Sequence, residues 1–140
     1  MKLTTKGRYA VMAMADLATN ESLKPISLSE ISVRQNISLS YLEQLFVKLK
    51  NNHLVKSVRG SHGGYILEKK AKDIKLSSII FAVNEEVRTL NCKKNSKKGC
   101  GGRTVKCITH NLWDDLEKHI NGFFENKNLN ELILKQENIF

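Results

Sequence analysis

The sequence predicts a mainly α-helical protein with a small β-hairpin, and three observations support that fold class. Apolar residues recur at helical spacing in several stretches of the chain. Residues 54–67 instead read as two short strands around a glycine-rich turn. The single proline and the 6% aromatic content are more typical of a helical protein than of a β-sandwich.

The first predicted helix covers about residues 5–19. Its apolar face is formed, at helical spacing, by Tyr9, Ala10, Ala13, Met14, Leu17 and Ala18. Lys6 and Arg8 lie at its start, where cations oppose the helix dipole. These cations indicate an external anion, such as a phosphate group, at this end of the helix, and ordinary solvated surface charge is the alternative.

A second, shorter helix is predicted to begin at a capping box. The Ser27 hydroxyl can accept a backbone amide, and Glu30 follows three residues later. The helix ends near residue 35, and its expected inward-facing residues are Leu28, Ile31 and Val33.

The third helix follows a tight turn and begins at an N-cap that is either Ser38 or Ser40. Its apolar face consists of Leu39, Leu42, Leu45, Phe46 and Leu49. The opposite face carries hydrogen-bonding side chains that can reach base edges, namely Ser40, Tyr41, Glu43, Gln44 and Lys48. A short helix, a tight turn and a helix of this kind form the helix-turn-helix pattern, although an αα-hairpin with a solvated face is the alternative.

The predicted hairpin follows the third helix directly, as a wing would. Its turn, residues 59–64, is rich in glycine and presents Arg59 and His62, with Lys56 nearby. A guanidinium at such a tip can enter a narrow minor groove of DNA, where the negative potential is strongest. An ordinary surface charge is the alternative for Arg59. Helix and wing together predict a winged helix-turn-helix that binds double-stranded DNA.

Three further helical stretches are predicted after the wing. Residues 77–83 form a helix that buries Leu76, Ile79, Ile80 and Val83, and residues 128–134 form a short terminal helix. A longer helix over residues 111–124 has an apolar stripe formed by Leu112, Trp113, Leu116, Ile120 and Phe123. This stripe either folds back onto the first helix or packs against its copy. The large aromatic residues favour a C-terminal dimerisation helix, and so does the need to reach two DNA half-sites.

All three cysteines lie in one basic, glycine-rich segment between the wing unit and the long helix. Cys92, Cys100 and Cys107 are followed by His110, which gives four potential ligands for a metal centre. Six lysine or arginine residues and no acidic residue lie between the first and last cysteine. Zinc sites usually pair cysteines two to four residues apart, so gaps of seven and six favour an iron–sulfur cluster, with structural zinc as the alternative. We therefore divide the chain into a DNA-binding domain (1–84), a cluster-binding loop (85–110) and a dimerisation helix with a tail (111–140).

Charge and cysteine content limit the class of protein. The net charge of +9 favours an anionic partner only weakly, because six of the positive residues belong to the cysteine segment. An odd number of cysteines argues against a secreted disulfide scaffold, and no apolar run is long enough to cross a membrane, so we expect a cytoplasmic protein. We find no nucleophile–base pair, phosphate loop or paired carboxylates and predict no enzyme activity. An electron carrier would leave the helix and the wing unexplained.

Four segments of the sequence resemble a known family: MKLTTKGRYAV, ISLSYLEQLFVKLK, VRGSHGGYIL and CITHNLW. They are similar to the IscR-type iron–sulfur cluster regulators, a family of bacterial winged helix-turn-helix transcription regulators. The resemblance implies a homodimer that represses cluster-assembly genes and receives its cluster from the assembly machinery. It also implies one [2Fe-2S] cluster per subunit, with ligands Cys92, Cys100, Cys107 and His110.

The resemblance further implies roles for residues of the third helix and the wing. Ser40, Tyr41, Glu43 and Gln44 match the recognition helix, and Arg59 matches the residue of the wing that enters the minor groove. Glu43 matches the residue that discriminates between two classes of DNA site. Sister regulators that sense nitric oxide use an acidic fourth ligand near the start of the first helix. This chain has Arg8 there, which favours the cluster-assembly branch over a nitric-oxide or redox sensor.

Overall fold

The computed structural model describes residues 4–20, 24–85 and 108–137. That part of the chain contains six α-helices and one two-stranded hairpin, which confirms the predicted fold class. The elements are α1 (Thr5–Asn20), α2 (Leu28–Gln35), α3 (Leu39–Asn51), β1 (Val55–Val58), β2 (Gly64–Leu67), a 3₁₀ turn (Ala71–Asp73), α4 (Leu76–Ala82), α5 (His110–Glu125) and α6 (Leu129–Glu137). No helix within these ranges is long and apolar enough to cross a membrane.

The starts of α2 and α3 are fixed by serine caps. The predicted capping box is present, because the Ser27 hydroxyl accepts the Glu30 amide at 3.2 Å and the Glu30 carboxylate accepts the Ser27 amide at 2.9 Å. For α3, the structure identifies Ser38 as the N-cap, since its hydroxyl accepts the Tyr41 amide at 3.2 Å. The turn between the two helices is therefore short, and α3 projects its first turn directly from it.

Helices α2, α3 and α4 end in a similar way, with a residue other than glycine in the left-handed conformation. These residues are Asn36, His53 and Asn84, with φ angles of 54°, 60° and 59°. In each case the next amide donates to the carbonyl five positions earlier, at 3.1–3.3 Å, as in a Schellman motif. The exit direction of the chain is thereby set at three helix ends.

The hairpin is a tight antiparallel pair that is tied to the segment before α2. Val55 pairs with Leu67, and Val58 pairs with Gly64. Ile26 and Tyr65 exchange two backbone hydrogen bonds, at 3.0 and 2.7 Å. A Cβ atom on Gly64 would lie 2.4 Å from the Ile26 carbonyl oxygen, so only glycine allows this close approach. The second strand of the wing is therefore anchored, close to the turn, to the segment that precedes α2.

One core unites the two ends of the chain. Buried side chains from α1, α3 and α4 pack together, and Leu129 at the start of α6 is buried with them. The long helix α5 lies beside α4, whereas α6 lies against α1. Residues 75 and 128 also form an antiparallel bridge. The short terminal helix therefore completes the core of the DNA-binding unit.

Two expectations about the apolar faces are wrong. Val33 is 83% exposed, because it lies two positions from buried Ile31 and therefore on the opposite side of the short helix α2. Leu39 shares the face of buried Leu42 but is itself exposed, because it occupies the first turn of α3 at the edge of the core.

Candidate nucleic-acid interface and cluster-binding segment

The N-terminal half of α3 presents a polar surface to solvent. Ser40, Glu43 and Gln44 are exposed there, as the sequence predicts for a recognition helix. The residues on the other side of the helix, Leu42, Leu45, Phe46 and Leu49, are buried. Because the buried side anchors the helix along its length, the exposed side forms a polar ridge, the kind of surface that helix-turn-helix proteins place in a major groove.

Tyr41 differs from its neighbours, because its ring is half-buried against α1. It makes an edge-to-face contact with Tyr9, with ring centroids 5.8 Å apart and planes at 88°. The two rings border a cleft of about 250 Å³ that is also lined by Thr5, Asn36, Ile37 and Ser38. The start of α1 therefore lies beside the start of the recognition helix.

The wing places its cationic residues at the tip. Arg59 and His62 are exposed in the turn between β1 and β2, and Lys56 is exposed on β1. Gly60 adopts a φ of 127°, which residues with side chains rarely adopt, and its carbonyl accepts the Gly63 amide at 3.0 Å. The tip of the wing therefore presents exposed cationic side chains on the same unit as the exposed side of α3.

An ion pair between a buried carboxylate and a partly exposed guanidinium joins α2 to α1. Asp16 of α1 accepts two hydrogen bonds from the Arg34 guanidinium, at 2.9 and 2.7 Å, and one from the Gln35 amide at 2.8 Å. The hydrogen bond to Asp16 raises the pKa of Arg34 above its ordinary value. The sequence did not predict this pair, because Asp16 and Arg34 are 18 positions apart and belong to different helices.

The start of α1 has an anionic partner within the chain, and this corrects the expectation of an external anion. Glu85 is 7% exposed and accepts hydrogen bonds from the Thr4 amide at 3.2 Å, the Thr4 hydroxyl and the Gly7 amide at 3.1 Å. Burial alone raises the pKa of Glu85, but these hydrogen bonds and the charge of Lys6 outweigh burial and lower the pKa below its usual value. Nothing in the local sequence signals a cap that comes from another helix.

The predicted cluster ligands fall mostly outside the described residues. Cys92, Cys100 and Cys107 lie in the range 86–107, which the structure does not describe, and His110 is the first residue of α5. Within the described ranges, no three His, Cys, Asp or Glu side chains are grouped so that they could hold a metal. Three thiolates and one imidazole nevertheless form a donor set that suits an iron–sulfur cluster. The segment that carries them is bounded by Glu85 on one side and α5 on the other.

Helix α5 exposes the apolar stripe that was predicted to form a dimer interface. Leu112 is 60% exposed, and Trp113, Leu116 and Phe123 are also exposed, whereas Ile120 is half-buried. Ile108, just before the helix, is fully exposed. The stripe therefore does not fold back onto α1, as the alternative reading of the sequence required.

Comparison with known proteins identifies the family. A family described as "Rrf2: Iron-dependent Transcriptional regulator" matches residues 3–135. The HTH-type transcriptional regulator IscR of Klebsiella pneumoniae (strain 342) is 52% identical over 137 residues, which cover 98% of this chain and 82% of that relative. The regulator of the same name from Escherichia coli (strain K12 / DH10B) is also 52% identical, with 98% and 83% covered.

Solved structures of regulators have the same fold. T. potens IscR matches with a TM-score of 0.79 and 34% identity, over 99% of this chain and 90% of that one. CymR (YrzC), the global cysteine regulator of B. subtilis, matches with a TM-score of 0.78 and 30% identity, over 94% and 95%. The resemblance seen in the sequence is therefore confirmed, and the exposed helix and wing are those of a helix-turn-helix transcriptional regulator. The chain belongs to the Rrf2 family of iron-dependent transcriptional regulators.

Proposed function

We propose that this chain, as a homodimer, represses genes of iron–sulfur cluster assembly in response to a [2Fe-2S] cluster that each subunit binds. One observation carries the proposal: the cysteine segment connects the end of the DNA-reading unit, at Glu85, to the exposed helix α5, which begins at His110. A ligand-dependent change in that segment can alter how two DNA-reading units are held relative to each other. The iron dependence in the family description agrees with such a sensor.

DNA recognition divides between α3 and the wing. Ser40, Glu43 and Gln44 can hydrogen-bond base edges in the major groove, while Tyr41 reaches the DNA from a ring that Tyr9 holds in place. Arg59 enters the adjacent minor groove, and His62 contacts a phosphate. Glu43 is an acceptor only, so it favours sites that offer a cytosine amino group and disfavours sites where a phosphate or carbonyl faces it.

Dimerisation buries the apolar stripe of α5 against its copy. A two-fold axis through Leu112, Trp113 and Leu116 brings the same surface of both subunits together. The two recognition helices then face two half-sites of a DNA operator in the cytoplasm. The half-sites are separated by about one helical turn of DNA, or by a multiple of it. The stripe extends from Leu112 to Phe123, so it follows α5 over most of its length.

The cluster would be held by Cys92, Cys100, Cys107 and His110, and it supplies a redox-active, labile centre when bound. The six cations of the segment would offset the negative charge of the thiolates. His110 would ligate through a neutral imidazole nitrogen. One imidazole in place of a thiolate also makes the centre easier to lose, which suits a sensor supplied by the assembly machinery.

Anaerobic purification tests the proposal. We expect a brown protein that contains iron and sulfide and that retains a selected DNA duplex at about physiological salt, where non-specific binding is weak. A matched variant with Cys92, Cys100 and Cys107 changed to Ala should keep the fold but lose cluster-dependent DNA binding. Stoichiometric zinc without sulfide would show a structural zinc site instead. An absence of sequence-selective retention, with or without cluster, would contradict the regulatory role.

A further inference from the structure

Glu85 occupies the junction between the DNA-reading unit and the cysteine segment. It follows α4 by three positions and precedes Cys92 by seven. Its backbone is fixed by the end of α4, where Asn84 is left-handed and the Glu85 amide donates to the Ile80 carbonyl at 3.1 Å. The end of α4 therefore fixes the position from which the Glu85 side chain extends.

The carboxylate of Glu85 caps a helix distant in sequence. It accepts the amides of Thr4 and Gly7 at 3.2 and 3.1 Å, across the N-terminal turn of α1. Thr4 could cap this helix with its own hydroxyl, but that hydroxyl instead donates to Glu85. The helix thus depends on a buried charge from α4, although a local cap of ordinary type was available. A buried carboxylate costs desolvation, so we look for a role beyond capping.

The capped turn of α1 lies against the recognition helix. Thr5 and Tyr9 of α1 line the same cleft as Ser38 and Tyr41, and the two tyrosine rings are in edge-to-face contact. Ser38 is the N-cap of α3, and Tyr41 is a predicted DNA contact. A shift of the first turn of α1 would therefore reach the part of α3 that reads DNA.

These contacts form one continuous connection. We propose that Glu85 is a positioning residue that transmits the ligand state of the segment containing Cys92 to the recognition helix, through the first turn of α1 and the Tyr9–Tyr41 contact. The proposal rests on the proposed function and adds a route within one subunit, separate from dimer geometry. Because the segment follows Glu85 directly in the chain, a change in its ligand state alters whether the Glu85 carboxylate keeps its three hydrogen bonds to α1.

The test compares the DNA affinity of cluster-loaded protein with that of the cluster-free triple cysteine variant. The probe is a duplex selected from random DNA by loaded wild-type protein. Glu85→Gln keeps the size of the side chain but replaces one acceptor oxygen with a donor that faces the Gly7 amide and the Thr4 hydroxyl. Glu30→Gln is the matched control, because Glu30 also caps a helix start through a backbone amide, at 2.9 Å, but on α2.

For wild-type protein we expect a ratio of loaded to cluster-free affinity of about 5- to 150-fold, the usual range for coupled sites. In Glu85→Gln the ratio should fall by at least about threefold, with iron and sulfide content unchanged. Amide exchange at Gly7 should also rise, which measures loss of the cap independently of DNA. The variant Thr4→Val, which keeps Glu85, should lower the ratio in the same direction but less.

Three outcomes would overturn the inference. If the ratio in Glu85→Gln equals that of wild-type protein, Glu85 is only a structural cap. If Glu30→Gln lowers the ratio equally, any loss of a helix cap has the same effect and Glu85 has no special role. If wild-type protein itself shows a ratio of one, the proposed function fails, and the coupling fails with it.

Discussion

Replacing Asp16 with alanine should destabilise the protein strongly, because three donors then lose their acceptor. Asp16 accepts hydrogen bonds from two guanidinium nitrogens of Arg34 and from Gln35, at 2.7–2.9 Å, and its side chain is 2% exposed. A hydrogen bond to a charged group contributes about 1.5–3 kcal/mol, and bonds within one group are not additive. The Arg34 side chain is 38% exposed, so water replaces part of what it loses. We therefore expect Asp16→Ala to lower the free energy of unfolding by about 2–4 kcal/mol.

Urea unfolding followed by circular dichroism measures this loss. Arg34→Ala should cost a similar amount, since it leaves a buried carboxylate that keeps Gln35 as a partner. The double variant should cost less than the two single losses together, with a coupling energy of about 1–3 kcal/mol. Glu125→Ala is the control, because the pair of Lys75 and Glu125 is equally short, at 2.8 Å, but exposed on both sides. A loss below about 1 kcal/mol for Asp16→Ala, or additive single losses, would refute the view that this pair fixes α2.

Four further predictions concern the wing, the minor groove, pH and the dimer. Gly64→Ala should melt at a lower temperature than wild-type protein and lose DNA affinity, because the new Cβ would lie 2.4 Å from a backbone carbonyl oxygen. Gly122→Ala, which has open space around it in α5, should instead raise the free energy of unfolding by about 0.5–1 kcal/mol. Equal melting temperatures of the two variants would contradict this packing. Arg59→Ala should weaken binding most, by about 1–3 kcal/mol, at duplexes with a narrow minor groove, and an equal loss at every duplex would mark a plain phosphate contact. The folded-state pKa of Glu85 lies below its ordinary value of 4.5, so its contribution to stability is present above that pH and is lost as the pH falls through the lowered pKa. The difference in unfolding free energy between wild type and Glu85→Gln should therefore be constant near neutrality and shrink below about pH 4.5. A difference that is independent of pH would contradict the assignment. Leu112→Glu places a charge in the exposed stripe of α5 and should convert a dimer into a folded monomer in sedimentation experiments; an unchanged dimer would place the interface elsewhere.

Local patterns in the sequence were sufficient to predict most of the elements. The capping box of Ser27 and Glu30 is a short-range arrangement, so it reads directly from residue spacing, and the buried face of α3 follows from the helical period. The sequence could not distinguish Ser38 from Ser40 as the N-cap of α3, because both residues offer a hydroxyl at the same turn. Left-handed His53 was also missed, since glycine is the usual signal for that position.

Contacts between distant parts of the chain could not be predicted. Glu85 and Gly7 are 78 positions apart, and Asp16 and Arg34 are 18 apart, so no periodicity links them. Tyr41 lies on the expected face of α3, but its contact with Tyr9 depends on how α1 crosses that helix. The ligand roles of the three cysteines and the dimer interface remain predictions that the experiments above address.

The burial of Leu129 affects how the protein is made. This residue of α6 is fully buried in a core that begins on α1, so the DNA-reading unit lacks a core residue until α6 has been synthesised. A chain that ends at Lys127 should therefore unfold at a lower temperature than the full chain, and equal stability would contradict this dependence. The cysteines at 92, 100 and 107 are synthesised earlier. The order of synthesis thus makes the proposed metal ligands available before the DNA-binding unit can finish folding. If these cysteines bind a cluster, its acquisition can begin on a nascent chain that is not yet able to occupy an operator.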